Sequence, residues 1–565
     1  MIKSKFVSSL EKCFLNQTLE DFEEVTSFRM FENERASIQF LAQSYDDNIG
    51  RSERKFHRIE LRGEIADCAT IRTVENVPNY VTGFEIPENS MKEDPAFLNN
   101  AQPGLYPDIL IPLTHNNKFP IIVGQLHPVW IDFELDGKVK PGKYTLKVTL
   151  YDVDDAVADT CELEVEVLDI KIPEQETKVT NWFYADCVAD YYEVEIFSDR
   201  HFEICENYIK AAVKNGINML LTPVFTPPLD TAVGHERPTT QLVGVNVKDG
   251  KYSFDFTLLD RWIDMCDRCG IKYIEISHLF TQWGAYHAPK VMATVDGEYK
   301  RIFGWDTDAA GDEYVTFIRQ FLTELTSYLD AKGRKESTYF HISDEPSDEH
   351  LAQYKINKGN VSDILKGWKI LDALSNVEFF KQGLCEIPVP ISNTIEDFMP
   401  EDISERWVYY CCGPFAKASN QFLTDSLTRT RCLGIQMYKY GIEGFLHWGY
   451  NFYNNQFSED VINPFLNMCA GYWTVGGDAL LVYPGRKGMP IESIRLLARK
   501  QAYDDIAILK LCESYYGKER VVSEIEAIYG EVTFMKCIEK ASLMQKIRDR
   551  ITDLIIEAKN KGTVC

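Results

Sequence analysis

Between residues 140 and 170, apolar and polar side chains exchange at almost every position. In Tyr144-Thr145-Leu146-Lys147-Val148-Thr149-Leu150 and in Cys161-Glu162-Leu163-Glu164-Val165-Glu166-Val167 the period is two, which sets one face of each segment in a core and the other in water, as in an antiparallel strand. Pro141-Gly142, just before the first of them, is turn chemistry. His57-Arg58-Ile59-Glu60-Leu61, Tyr80-Val81-Thr82-Gly83-Phe84 and Val129-Trp130-Ile131-Asp132-Phe133 add further strand candidates. Residues 1–172 are therefore expected to form an N-terminal β-sandwich, closed off by Ile172-Pro173-Glu174.

Beyond residue 173 short apolar runs alternate with helical stretches, such as Asp312 to Ala331, where Val315, Ile318, Leu322, Leu325 and Leu329 share a face. That alternation predicts a parallel sheet with crossover helices. Strands are expected at Trp182 to Ala185, Ile217 to Leu221, Ile271 to Ile276, Thr338 to Ile342, Trp407 to Cys411, Ile442 to His447 and Ala479 to Tyr483, with one more between Val377 and Ile391. The number and spacing suit a (β/α)8 TIM-type barrel over residues 173–500. Residues 501–565 are helical and charged, and Leu543, Ile547, Ile551, Leu554 and Ile555 recur at helical spacing, so this C-terminal extension is expected to pack on the barrel or on a partner chain. The predicted fold class is thus multidomain β plus α/β.

Charge narrows the partners. The net charge of -26 over 565 residues disfavours nucleic acid and anionic membrane surfaces, both of which demand basic patches. No apolar run reaches membrane-spanning length, so no membrane insertion is expected, and the early lysines run into Glu11 without the apolar stretch of a signal peptide. Fifteen scattered cysteines, including the adjacent Cys411 and Cys412, suit buried thiols in a reducing compartment and a cytoplasmic location. Cys266-Asp267-Arg268-Cys269 has zinc-like spacing but no second pair and falls in a helix, so no metal is expected. Neither a GxGxxG nor a Walker A pattern is present, and no cofactor is expected.

The candidate chemistry stands at strand ends, where barrel enzymes keep their active sites. Asp186 follows the first expected strand, Thr222-Pro223 the second, Ser277-His278 the third, Asp344-Glu345 the fourth; Cys412-Gly413 and His447-Trp448-Gly449-Tyr450-Asn451 follow later ones. Trp283 and Tyr286 lie on the loop after the third. Aromatic faces stack on sugar rings while acids and histidines bind hydroxyls, so this company points to a carbohydrate pocket. Ser347, Asp348 and Glu349 read as a helix N-cap with acidic first-turn residues. Asp344 and Glu345 precede Pro346 and have no such explanation.

Most glycosidases need two carboxylates from different strands, yet Ile442-Glu443-Gly444-Phe445-Leu446-His447-Trp448, taken as the seventh strand, ends in tryptophan rather than glutamate. The alternative is substrate assistance, in which a 2-acetamido carbonyl attacks the anomeric carbon, one acid protonates the leaving oxygen and a second orients the acetamido N–H. Adjacent acids suit that division where a strand is ending, and repulsion between them would keep one proton on the pair, on Glu345 as the acid. One of Tyr409 and Tyr410 is expected to face the pocket.

The sandwich-plus-barrel layout, Phe340-His341-Ile342-Ser343-Asp344-Glu345-Pro346 and Phe445-Leu446-His447-Trp448-Gly449-Tyr450-Asn451 resemble glycoside hydrolase family 123, the β-N-acetylgalactosaminidases, over most of the chain. The resemblance implies Asp344 as the acetamido-orienting residue, Glu345 as general acid/base, a retaining substrate-assisted reaction, and a β-GalNAc oligosaccharide or glycolipid glycan as substrate. His447, Trp448, Tyr450 and Asn451 match the second motif, Trp448 as a stacking platform; Asp186, His278, Trp283 and Arg495 are placed by strand-end position alone. A hexosaminidase of other 2-acetamido sugar preference and a non-catalytic glycan-binding protein are the competing readings.

Overall fold

The computed structural model describes residues 1–45, 56–83, 102–113, 116–415 and 418–562. The alternating segments form the expected strands: Gly142–Tyr151 pairs antiparallel with Val157–Leu168, Leu146 facing Leu163. Two five-stranded sheets stack as a sandwich. One orders Ile2–Ser8, Arg35–Ser44, Leu126–Glu134, Ala69–Asn79 and Gly104–Pro112; the other orders Ser27–Phe31, Val157–Leu168, Gly142–Tyr151, Phe56–Arg62 and Lys118–Pro120. Leu146, Val148, Leu163 and Val165 meet Phe40, Ile131 and Phe133 in the core between them. The strand expected at Tyr80 to Phe84 lies earlier: pairing ends at Asn79, and Phe84 is outside the described residues.

The barrel's eight parallel strands are Lys178–Asn181, Met219–Thr222, Tyr273–Ile276, Thr338–Phe340, Lys369–Ala373, Ile387–Val389, Trp407–Tyr409 and Gly444–His447. The first and eighth pair directly. The sixth and seventh meet through the Ile391–Tyr409 bridge, where Tyr409 N donates to Pro390 O at 3.0 Å, so the barrel is nearly closed.

Three strand expectations are corrected. The first strand precedes Trp182, and Ala185 already begins a helix, Ala185–Tyr192. Lys369–Ala373 is an additional strand, its Asp372 buried and accepting from Ile342 N. Ala479 to Tyr483 is no barrel strand; Val482–Pro484 forms a hairpin with Pro490–Glu492. The strand ending at His447 is consequently the eighth. The seventh ends at Tyr409 and likewise carries no carboxylate at its C-terminal end.

The helix Ile494–Tyr516 runs unbroken through residue 500, where the barrel had been expected to end. It lies against Leu427–Tyr440 so closely that a Cβ on Gly434 would stand 2.1 Å from Ala502 O. Glycine is required there by contact, not by backbone conformation. The final helix, Ala541–Asn560, buries Ile547, Ile551, Leu554 and Ile555, and Arg548 Nη2 reaches Glu34 Oε1 of the sandwich at 2.6 Å.

Candidate active site

The fourth strand stops at Phe340 and the chain continues irregularly to Pro346. Glu345 sits in the left-handed region at φ 42° and its N–H donates to Ala373 O at 3.0 Å. That turn is what lets both neighbouring acids line one cleft, since consecutive residues of a regular strand would point apart. The cleft, about 90 Å³, is lined by Asp344 and Glu345 together with Asp230, Tyr409, Trp448 and Trp473, and also by Trp182, Gln282, Trp283, Ala373, Cys411, Cys412 and Leu446.

The electrostatics separate the two acids. Burial, then Glu345 and Asp230, push the Asp344 carboxyl well above the usual carboxylate range against the pull of His341. Glu345 also rises, through burial and the charge of Asp478, but Tyr409 opposes the rise: its hydroxyl donates to Glu345 Oε1 at 2.7 Å. Glu345 is exposed to the open cleft while Asp344 is half-buried, so water moderates the shift at Glu345. Both carboxyls are thus pushed toward the protonated form, which favours retention of a proton on the pair. The Asp344 carboxylate makes no hydrogen bond to the described residues, and its backbone oxygen accepts from Trp283 N at 2.9 Å.

Beneath the pair lies a polar barrel interior where branched aliphatic residues are usual. His341 Nε2 is 2.6 Å from Glu275 Oε1, and its Nδ1 is 3.4 Å from Asp372 Oδ1. Burial opposes charge on His341, but Asp372 and Glu275 outweigh it and push its pKa up to about 9. The resulting imidazolium stacks on His278, ring centroids 4.2 Å apart. His278 is buried, neither ring nitrogen is hydrogen-bonded among the described residues, and it is held neutral by burial and by His341. It underlies the site without lining the cleft.

Of the other residues expected at the site, Trp283 and Trp448 line the cleft and Tyr409, rather than Tyr410, faces it. Tyr410 packs edge-on against Phe445 and His447. His447 is a support: Gly449 N donates to its Nδ1 at 2.9 Å, leaving Nε2 to donate to Asp478 Oδ1 at 3.2 Å. Four others do not line the cleft. Asp186 makes a buried two-pronged pair with Arg237, both contacts 2.8 Å. Tyr450 donates to Tyr208 O. Asn451 clamps the backbone of Tyr184, accepting from its N and donating to its O at 2.9 and 3.0 Å. Arg495 binds Asp108 of the sandwich at 2.8 and 2.9 Å and is fully buried. Strand-end position suggests the pocket for Asp186 and Arg495, but each lies in the first turn of a helix and neither lines the cleft.

Sequence reasoning missed Asp230, Trp473 and Asp478. Asp478 accepts from His447, Trp448 Nε1 (3.1 Å), Thr474 Oγ1 (2.9 Å) and Cys412 Sγ (3.2 Å), so one carboxylate fixes the edge of the Trp448 indole. The chain of Trp448 and Gly449 lies directly on Asp478-Ala479; a Cβ on Gly449 would meet Asp478 O at 2.2 Å. The Gly476-Gly477-Asp478 sequence was the available signal, as a tight turn ending in an acid. A larger cleft, about 300 Å³, separates the sandwich from the last helix, but its Arg29, Arg431 and Arg548 are committed to Asp549, Asp505 and Glu34. Among the described residues no three metal-ligating side chains converge, and no helix is long and apolar enough to cross a membrane.

Comparison with solved structures finds a family 123 glycoside hydrolase from Clostridium perfringens, studied for glycolipid glycan hydrolysis, at TM-score 0.73 and 16% identity, covering 99% of this chain and 98% of that one. An endo-β-1,4-mannanase from Thermotoga petrophila aligns at TM-score 0.34 and 11% identity over 59% of this chain and 77% of its own, too low to bear on the fold. No curated protein matches. The family model described as glycoside hydrolase 123, catalytic domain, matches residues 182–512, a span that holds seven of the eight barrel strands, the acid pair and the aromatic cleft. With more than half of its length covered by that model, the chain belongs to glycoside hydrolase family 123.

Proposed function

We propose that this glycoside hydrolase is a retaining β-N-acetylgalactosaminidase that removes β-linked GalNAc from glycans by substrate assistance. The observation that carries the reading is the left-handed Glu345, which turns two adjacent acids into one cleft while the seventh strand supplies no carboxylate. In this reading the acetamido N–H donates to the otherwise unbonded Asp344 carboxylate. That contact favours the ionised form of Asp344 and leaves the pair's proton on Glu345. Glu345 then protonates the glycosidic oxygen as the acetamido oxygen attacks C1, giving an oxazolinium. Water, deprotonated by Glu345, attacks C1 from the face the leaving group vacated, with net retention. Trp448, its edge fixed by Asp478, supports a sugar face. The glycolipid glycan hydrolysis described for the Clostridium perfringens enzyme supports oligosaccharides of glycosphingolipids as the substrate class.

The test is a comparison of Glu345→Gln and Asp344→Asn on aryl β-GalNAc substrates of graded leaving-group ability, with the product anomer followed by NMR. Glu345→Gln should lose about 10²- to 10⁴-fold on poor leaving groups, the usual worth of general acid catalysis, and far less on very good ones. Asp344→Asn should lose activity on both. Rapid turnover of the galactoside lacking the 2-acetamido group would sink the mechanism.

A further inference from the structure

The loop after the second strand delivers a third acid to the cleft. Asp230 is in the left-handed region at φ 47°, and both of its backbone polar groups are clamped. Its N–H donates to Gln282 Oε1 at 2.6 Å, and its carbonyl accepts from Ser458 Oγ at 2.7 Å. Ser458 and its neighbour Phe457 are themselves left-handed, at φ 56° and 63°. Phe457 O accepts from Ala232 N at 3.1 Å, and its ring meets Trp283 edge-on. Three loops thus hold a strained backbone, a feature that clusters at ligand-binding sites.

The side chain is treated differently. Among the described residues the Asp230 carboxylate makes no hydrogen bond or ion pair, although it lines the cleft. Arg237, the cation acting on it, is committed to Asp186. Burial and Glu345 outweigh Arg237 and push the Asp230 pKa up to about 7. A carboxylate clamped by its backbone, aimed into a cavity and denied donors is costly unless a ligand supplies them.

We infer that Asp230 is a sugar-binding and specificity-determining residue, accepting hydrogen bonds from ring hydroxyls of the bound sugar remote from C1 and C2. This rests on the proposed function for the placement of C1 and C2 over Glu345 and Asp344. Asp230 comes from the second-strand loop, so it addresses a different part of the ring: the hydroxyls at C3, C4 or C6. A carboxylate can take two adjacent hydroxyls at once.

The test uses the full-length chain and Asp230→Asn, a substitution that retains tolerance for the left-handed backbone and leaves both backbone clamps in place. Binding of N-acetylgalactosamine and its 3-, 4- and 6-deoxy forms would be measured by titration calorimetry. The same variants would be assayed on the matching aryl glycosides. Loss of a hydrogen bond to a charged group predicts about a 10- to 150-fold weaker affinity and kcat/KM for the parent sugar. The loss should shrink to within about threefold for the deoxy sugar lacking the hydroxyl that Asp230 accepts from. An equal loss across all four sugars, no loss at all, or no binding of any of them to the wild type would overturn the inference. Binding coupled to Asp230 without turnover of any aryl glycoside would uphold it while refuting the glycosidase mechanism.

Discussion

Removing the Tyr409 hydroxyl should move the alkaline limb of the pH–rate profile upward. The hydroxyl donates to Glu345 Oε1 at 2.7 Å and favours the ionised carboxylate. A hydrogen bond to a charged group contributes about 1.5–3 kcal/mol, and one pKa unit corresponds to about 1.36 kcal/mol. Because Glu345 is open to water in the cleft, the lower end applies, and Tyr409→Phe should move the alkaline limb upward by about one pH unit. The sign follows from its role. A general acid must be protonated, so activity is lost as pH rises through its pKa, and a higher pKa carries that loss to higher pH. The assay is kcat/KM for an aryl β-GalNAc substrate with a poor leaving group, which reports ionisations of the free enzyme. The two limbs belong to the Asp344–Glu345 pair as a unit, so the displacement of the alkaline limb is the readout, not the absolute rate. An alkaline limb that stays fixed, or moves to lower pH, would refute the assignment of Glu345 as the acid.

Other expectations follow from the same geometry. Arg495→Met strands Asp108 in the interior and should destabilise the protein by about 3–5 kcal/mol, whereas Arg495→Met with Asp108→Leu should recover only part of it, because Arg495 also donates to Gln421 O, Gly477 O and Leu480 O, both read by urea unfolding. His341, raised from 6.5 to about 9 in the folded protein, contributes stability that is fully present below its unfolded pKa and lost as pH rises through 9; the wild-type unfolding midpoint should fall across that window and that of His341→Asn should not. Asp478→Asn should raise KM more than it lowers kcat, because it loosens Trp448, and should lower the alkaline limb by removing a negative charge that raises Glu345.

Legibility in the sequence tracked how local the deciding physics is. The sandwich strands around Leu146 and Leu163 were plain, since one wet face and one dry face write a period of two into the chain. The barrel strands are buried on both faces and only three to five residues long, so they read as short apolar runs. Lys369–Ala373, with Asp372 in its middle, did not look like a strand, because the partners that satisfy Asp372 come from elsewhere in the barrel. The acid pair stood out because Pro346 follows it. Asp230 and Asp478 lie on loops whose meaning depends on contacts between distant segments, Gln282 and Ser458 for one, His447 and Thr474 for the other. Arg495 was misread for a related reason: strand-end reasoning has no view of a helix turn that faces another domain.

The join between sandwich and barrel bears on how such enzymes change over time. Asp108 meets Arg495, Glu492 gathers Arg35 and Arg72, and Lys12 Nζ donates to Leu423 O at 2.8 Å. Charges distributed in this way are complementary only as a set. A sandwich borrowed from a relative by recombination would present the barrel with unmatched buried ions unless both halves of each pair were inherited together. Exchange of the sandwich alone is therefore expected to cost stability that changes in the loops at the barrel mouth would not.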